Sequence, residues 1–322
     1  MPRSVLRFIQ ACALLAATSS AWASTDQPIS LSTPTGELRG SLMLPDTGQA
    51  RTVALIIAGS GPTDRNGNSP MAKNDSLKLL ADALAASGIA SVRYDKRGIG
   101  ESAAALENES DIVFTDLVND AKAWIGLLAA DKRFADIAVI GHSEGATIGL
   151  LAAQHEAVDA YISIAGPAKP AAQGLRDQLA GRLPPALASK SEEILVALEG
   201  GETVQDVPPQ LMVLYRPSVQ PYLIDWFKVV PTEEIKKLRV PCLIVQGDTD
   251  IQVPVTAARA LQEAQPSAEL VIVEGMNHVL KLVPNDQAKQ LASYQDPSLP
   301  LASKLHESIV RFLRSSASKA SR

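Results

Sequence analysis

The 322-residue sequence predicts an α/β protein whose mostly parallel β-sheet is covered by helices on both faces. Short apolar runs alternate with longer segments of helical periodicity, and this alternation specifies a parallel sheet between two helical layers. The apolar runs are hydrophobic throughout, as expected for strands that are buried on both faces. The composition, 46% hydrophobic and 20% charged, is that of an ordinary globular domain.

The predicted strands begin with an antiparallel edge hairpin, formed by Ile29–Ser32 and Glu37–Leu44. Continuous apolar runs then predict the buried strands of the sheet. These runs are Val53–Ile57, Ala90–Tyr94, Ile137–Ile140, Ala160–Ile164, Leu243–Gln246 and Leu270–Val273.

The predicted helices lie between these strands. In the clearest of them, apolar residues recur at three- and four-residue spacing from Val113 to Leu128, which indicates one buried face. The Ser/Lys-rich tail from Ser315 is expected to be frayed. The predicted helices are Ser76–Ser87, Val113–Leu128, Ser143 to about Ala157, Val255–Ala264 and Ala302–Leu313.

One long segment, about 167–238, interrupts the alternation. It contains six prolines between Pro184 and Pro221 and short helical patches, without a convincing strand. A segment of this length between two strands must form its own layer. We therefore predict a helical cap inserted after the sixth strand, over the strand ends where open α/β sheets bind ligands.

The first 23 residues have the pattern of a secretory signal peptide rather than of a helix of the domain. Arg3 and Arg7 precede the apolar run Phe8–Ala17, and Ala21-Trp22-Ala23 is a small-residue cleavage pattern. We expect cleavage after Ala23, a single domain over residues 24–322, and a periplasmic or secreted protein. No later run of 18 apolar residues predicts a membrane span, so stable membrane insertion is not expected after cleavage.

Cysteine and charge content exclude other classes. Cys12 lies within the predicted signal, so Cys242 has no internal disulfide partner after cleavage and is expected to be a small buried hydrophobe. The net charge of −5 and the lack of a dense Lys/Arg stripe argue against a nucleic-acid partner.

The chemistry is predicted by Gly141-His142-Ser143-Glu144-Gly145, a G-x-S-x-G sequence between a predicted strand and a predicted helix. That context is typical of a nucleophile elbow, in which a sharp turn exposes the serine hydroxyl and glycines leave room for the neighbouring chain. Ser143 is therefore the predicted nucleophile, and it requires a base.

Four histidines are candidates for that base: His142, His155, His278 and His306. His142 lies inside the elbow, and the second and fourth lie in predicted helices. His278 lies in a loop directly after a strand, which makes it the predicted base.

The acid that orients the base is expected between Ser143 and His278 in the chain. Asp248 and Asp250 both follow the strand Leu243–Gln246. Asp250 is the predicted third member of the triad because it lies further into the loop, and Asp248 is expected to bind loop backbone.

Two backbone N–H groups are predicted to stabilise an oxyanion. One belongs to Glu144, directly after the nucleophile. The other comes from the glycine-rich loop after Val53–Ile57, where the Ser60 N–H is preferred and Gly61 is the alternative.

Over residues 29–314 the sequence resembles the α/β-hydrolase superfamily. Within its serine-aminopeptidase-like branch, it resembles bacterial carboxylesterases that carry the oxyanion loop Gly59–Asn68. The shared sequence segments also include Arg93–Gly100, the elbow and Gln220–Leu223. This resemblance implies hydrolysis of small carboxylic esters without metal or cofactor, and a structural role for Asp95 and Arg97.

Two other functions stay open. One is a peptidase of the same fold, with cap glutamates such as Glu192, Glu193, Glu233 and Glu234 binding a peptide amino terminus. The other is a ligand-binding module with vestigial turnover. A lipase is disfavoured because the cap holds few aromatic residues for an apolar lid.

Overall fold

The computed structural model describes residues 26–154 and 157–320. The predicted signal peptide with Cys12 lies outside the described residues, and so does His155. Within the described part of the chain, no helix has the length and apolar character needed to cross a membrane.

Over the residues that the structure describes, the sheet has eight strands in the order β1-β2-β4-β3-β5-β6-β7-β8. β1 pairs antiparallel with β2, which pairs antiparallel with β4, and the remaining pairs are parallel. The predicted edge hairpin and all six predicted buried strands are confirmed. The strands are β1 Asp26–Thr33, β2 Gly36–Met43, β3 Thr52–Ile57, β4 Ala90–Tyr94, β5 Asp136–His142, β6 Ala160–Ile164, β7 Cys242–Gly247 and β8 Glu269–Val273.

Helices cover both faces of this sheet, which confirms the α/β-hydrolase fold expected from the sequence. α1 and α11 pack on one face, and α2, α3 and α9 pack on the other. These helices are α1 Ser76–Ala86, α2 Phe114–Ala130, α3 Glu144–Ala152, α9 Val255–Ala264 and α11 Ser303–Ala320.

The end of the chain differs from the expectation of a frayed tail. α11 continues past Ser315 to Ala320, because the Ser/Ala/Lys sequence there contains no glycine or proline to end a helix. A short helix, α10 (Gln287–Ser293), also lies in the loop after β8, where no helix was predicted. Cys242 is buried in β7 as expected, and burial raises the pKa of its thiol to about 12.

Between β6 and β7 the chain forms a helical layer, which we call the cap. Its helices enclose an apolar cluster of their own around Ile194, Leu198 and Tyr215. They are α4 Ala171–Leu179, α5 Pro185–Glu199, α6 Met212–Tyr215, α7 Gln220–Phe227 and α8 Pro231–Glu234.

The cap is attached to the start of α2. The Trp226 ring of α7 stacks on Phe114, with 5.6 Å between centroids and 7° between planes. Asp225 accepts hydrogen bonds from the backbone N–H (2.8 Å) and hydroxyl (2.6 Å) of Thr115. A cap residue thus provides the acceptor for an N–H group in the first turn of α2, which has no partner within the helix. This attachment fixes α7 over the body of the protein.

The first turn of α3 passes very close to the ends of β3 and β5. A Cβ atom at Gly145 would overlap the Ile57 carbonyl oxygen and lie 2.6 Å from that of Ala58. A Cβ atom at Gly141 would likewise overlap the Gly145 carbonyl oxygen. Both glycines are therefore required by backbone packing at the junction of β5 and α3.

We predict that Gly145→Ala lowers the free energy of unfolding by about 1–3 kcal/mol because backbone must move to admit the methyl group. Gly126 in α2 is the matched control, because a Cβ there meets no heavy atom within 4 Å. Gly126→Ala should raise the free energy of unfolding by about 0.5–1 kcal/mol through helix propensity. Urea unfolding measures both changes, and equal changes in the two variants would contradict the close packing.

Candidate active site

The predicted site residues all lie at the carboxyl edge of the sheet. Ser143 directly follows β5, Asp250 follows β7, His278 follows β8, and the Gly59–Ser60 segment follows β3. Because these strands are parallel, their carboxyl ends meet at one edge, where ligands of open α/β sheets bind.

Ser143 occupies a backbone conformation that residues with side chains avoid, with φ 57° and ψ −122°. Its N–H donates to the Ile164 carbonyl (2.9 Å), and its own carbonyl accepts from the Ala146 N–H (2.9 Å). These bonds hold the sharp turn from β5 into α3. Such strain is characteristic of a nucleophile elbow, and the Ser143 side chain is left half-buried.

Asp250 and His278 form a buried pair. Asp250 Oδ2 lies 2.8 Å from His278 Nδ1, and the two side chains are 1% and 6% exposed. The other oxygen, Oδ1, accepts from the backbone N–H groups of Gln252 (2.8 Å) and Val253 (2.9 Å). Burial raises the pKa of Asp250, but the adjacent His278 and these hydrogen bonds outweigh it and lower that pKa below its usual value. Asp250 is therefore a charged acceptor for His278.

The neighbouring aspartate, Asp248, accepts a 2.7 Å hydrogen bond from the Gly275 N–H, in the loop that carries His278. Gln246, for which the sequence predicted no role, is buried at the end of β7 and donates to Asp250 Oδ2 (3.1 Å) and to the Val253 carbonyl (2.9 Å). Its polar side chain in an otherwise apolar strand is the sequence signal that could have identified Gln246.

His142 has a closer relation to the site than its sequence position suggested. Its Nε2 donates to the His278 carbonyl (2.8 Å), and the two rings lie 4.8 Å apart. Burial lowers the pKa of His142 to about 3, and the adjacent His278 adds to this effect. A neutral His142 therefore supports the backbone of the loop that carries His278.

The two N–H groups predicted for the oxyanion belong to the residue after Ser143 and to a loop that packs against the serine. Glu144 is the first residue of α3, so its N–H has no acceptor within the helix. Gly59 packs against the serine, and a Cβ there would lie 3.2 Å from Ser143 Cβ. Ser60 comes next in the loop, and its role, like that of Gly61, stays a prediction.

A further buried cluster at the site was not expected. Lys96 Nζ lies 2.5 Å from the Gly59 carbonyl oxygen and 2.9 Å from Glu144 Oε2. Glu144 Oε1 accepts from the hydroxyl of Tyr222, which belongs to α7 of the cap. Lys96, Glu144 and Tyr222 are called the lysine cluster below. It brings together the loop after β3, the elbow and the cap.

The residues on either side of Lys96 have structural contacts, in agreement with the resemblance. Asp95 binds the Arg65 side chain (3.0 Å) and the backbone N–H groups of Arg65 (2.8 Å) and Glu101 (2.9 Å). Arg97 forms an ion pair with Asp120 of α2 (2.5 Å). Of these three consecutive charged residues, Lys96 is the one that contacts the site.

The chain belongs to the alpha/beta hydrolase family, whose pattern it matches over residues 55–293. Its relatives include Esterase EstD of Thermotoga maritima, 28% identical over 246 residues, which are 76% of this chain and 58% of EstD. Another relative is the non-heme chloroperoxidase CPO-A1 of Kitasatospora aureofaciens, 27% identical over 76% of this chain and 90% of that protein. The match thus spans less than two thirds of EstD.

Solved structures show the same fold at lower identity. Est1E of Butyrivibrio proteoclasticus with ferulic acid has a TM-score of 0.63 and 19% identity, over 90% of this chain and 99% of Est1E. The Pyrococcus furiosus esterase Pf2001 has a TM-score of 0.58 and 16% identity, over 97% and 95% of the two chains.

The neutral His142 predicts a pH dependence of stability. The pKa of His142 is lower in the folded protein than in the unfolded chain, so between these two pKa values only the unfolded chain binds the proton. The free energy of unfolding therefore decreases as pH falls from about 6.5 towards 3. This contribution should have a slope of about 1.4 kcal/mol per pH unit near the middle of that range. His142→Gln keeps an N–H donor without the titration. Urea unfolding between pH 4 and 6 should show a shallower slope in this variant, and an unchanged slope would contradict a neutral His142.

Proposed function

We propose that this protein hydrolyses small carboxylic esters through an acyl-enzyme formed on Ser143. The observation that carries the proposal is the buried hydrogen bond between Asp250 and His278, at the sheet edge where Ser143 has the strained backbone of an elbow. A carboxylate, an imidazole and a serine in this chain order are the components of a serine-hydrolase triad.

In the first half of the reaction, His278 acts as the general base. Asp250 binds Nδ1, so Nδ1 carries the proton and Nε2 is left free to accept one. Nε2 takes the Ser143 proton as Oγ attacks the acyl carbonyl. The negative charge that develops on the carbonyl oxygen is bound by the N–H groups of Ser60 and Glu144.

In the second half, the acyl-enzyme is released. His278 gives its proton to the departing alkoxide, and the alcohol leaves. A water molecule then attacks the acyl carbon, with His278 again accepting the proton, and the acid leaves with Ser143 restored. Asp250 orients the imidazole throughout and stabilises its protonated form.

Support for an ester substrate comes from the esterases among the relatives and from the cap. Large aromatic side chains of the cap are packed against other residues: Tyr215 and Phe227 are buried, and Trp226 stacks on Phe114. A cap without an exposed aromatic lid favours short acyl chains over a lipid surface. Esters of graded chain length measure this preference directly.

The peptidase alternative depends on carboxylates of the cap that could bind an amino terminus. These carboxylates are engaged by neighbouring cations: Glu192 by Arg176 (2.8 Å), Glu193 by Lys190 (3.2 Å), Glu233 by Lys236 (2.9 Å) and Glu234 by Lys237 (2.7 Å). We also infer, from the loop Gly59–Asn68, that the chain lies in the serine-aminopeptidase-like branch. Aminopeptidase substrates assayed beside the esters test whether that ancestry includes peptide cleavage.

We predict that Ser143→Ala reduces kcat for p-nitrophenyl butyrate by about 10⁶-fold, because nucleophile and base act as a unit. A fluorophosphonate should label the wild-type protein at Ser143 and leave the variant unlabelled. A ligand-binding module would instead show no turnover above that of Ser143→Ala. Labelling at another residue would exclude Ser143 as the nucleophile.

The two loop aspartates give a second test. Asp250→Asn presents an amide N–H to His278 Nδ1 and selects the wrong imidazole tautomer, so kcat should fall by about 10⁴-fold. Asp248→Asn is the matched control, since its amide oxygen still accepts from the Gly275 N–H. It should keep most activity and lose no more than about 1 kcal/mol of stability. Kinetics and thermal melts compare the two, and a greater loss of activity in a folded Asp248→Asn would reverse the assignment.

A further inference from the structure

Lys96 contacts both halves of the predicted oxyanion hole through one ammonium group. Its bond to the Gly59 carbonyl (2.5 Å) reaches the loop after β3, and its ion pair with Glu144 (2.9 Å) reaches the elbow. The Lys96 and Glu144 side chains are 4% and 2% exposed. In such a dry environment both contacts are strong and are screened little by solvent.

The contact with Gly59 acts on the next residue through the peptide bond. The Gly59 C=O and the Ser60 N–H belong to one planar trans peptide, in which the two groups point in opposite directions. A donor that fixes the carbonyl therefore also fixes the direction of the Ser60 N–H. It also polarises the peptide and makes that N–H a stronger donor.

The contact with Glu144 acts on the other N–H group. The Glu144 backbone begins α3, and both oxygens of its carboxylate are bound, one by Lys96 and the other by Tyr222. The side chain is thus held at two points directly beside the nucleophile. Burial, and secondarily the Glu144 charge, raises the pKa of Tyr222 well above its usual value, so its hydroxyl remains a donor.

Charge balance gives Lys96 a second effect. The Glu144 carboxylate alone would oppose a negative charge developing next to Ser143. The Lys96 ammonium neutralises that carboxylate at hydrogen-bond distance, so the site can accept an oxyanion.

We propose that Lys96 is a positioning residue of the oxyanion hole, which orients the Ser60 and Glu144 N–H groups, and that Tyr222 makes this arrangement depend on the cap. The inference rests on the proposed ester hydrolysis. It predicts that loss of Lys96 weakens transition-state binding, whereas a purely structural ion pair would affect stability alone.

The test separates these roles by removing the pair in two ways. Lys96→Met leaves Glu144 buried without its cation, which destabilises the protein whatever the function of Lys96. The double variant Lys96→Met/Glu144→Gln leaves no charge in the lysine cluster, yet Gly59 still lacks its donor. Each protein is assayed for kcat and KM with p-nitrophenyl butyrate and for melting temperature.

A trifluoromethyl ketone reports on the oxyanion hole directly. Ser143 Oγ adds to its carbonyl carbon, the proton passes to His278, and the carbonyl oxygen becomes an oxyanion. In the folded double variant we expect kcat to fall by about 10²-fold, the loss typical of one impaired oxyanion donor, with KM changed less than about 3-fold. Ketone affinity should fall in parallel with kcat. A folded double variant with wild-type kcat and ketone affinity would overturn the proposal.

The cap contribution is tested with a conservative pair of variants. Tyr222→Phe removes only the hydroxyl that binds Glu144, and kcat and ketone affinity should each fall by about 10-fold. Tyr215→Phe is the control, because its hydroxyl pairs with Ser191 (2.9 Å) inside the cap. It should keep wild-type kcat and lose only stability. If the Lys96 variants do not fold, unchanged kcat and ketone affinity in Tyr222→Phe overturn the proposal.

The proposed function and this inference fail in different ways. Wild-type protein that neither cleaves esters nor reacts with a fluorophosphonate would refute ester hydrolysis before any variant is compared. Wild-type activity together with a fully active double variant would refute the role of Lys96 alone.

Discussion

The unfavourable backbone of Ser143 is the constraint around which the rest of the site is arranged. A residue with a side chain in this region costs about 1–3 kcal/mol, which the surrounding structure must supply. The Ile164 carbonyl, the first turn of α3 and the contact of Gly145 with the end of β3 supply it here. These contacts require β3, β5 and β6 to be neighbours. The backbone conformation of Ser143 therefore depends on the order of the strands in the sheet.

The charged and titratable side chains around the serine are buried. Asp250 is compensated by His278 and by N–H donors, and Glu144 by Lys96 and Tyr222, while His142 is neutral. In a site of low dielectric each of these groups acts strongly on the others, because solvent does not screen them. The electrostatics of the site therefore depend on the number of buried charges as well as on the identity of its polar groups.

Strand positions and the local surroundings of Ser143 and His278 followed from sequence, because apolar runs and glycine turns are local signals. The lysine cluster did not, because its members lie 48 and 78 residues apart along the chain and meet only in the folded protein. The contact of His142 with His278 could not be predicted for the same reason, since it spans 136 residues. The extension of α11 past Ser315 does not follow from composition, because a serine-rich tail predicts fraying, whereas residues that a helix tolerates continue one that is already formed.

The attachment of α7 to α2 bears on how such proteins are recombined. Asp225 accepts from the first turn of α2, and Trp226 covers Phe114, so the cap also completes a helix of the scaffold. A chimaera that receives a foreign cap would leave Thr115 without its acceptor and Phe114 open to water. Its altered selectivity would then be confounded with a weakened scaffold. Grafts that retain α7 and exchange only α4 and α5 would separate the two effects.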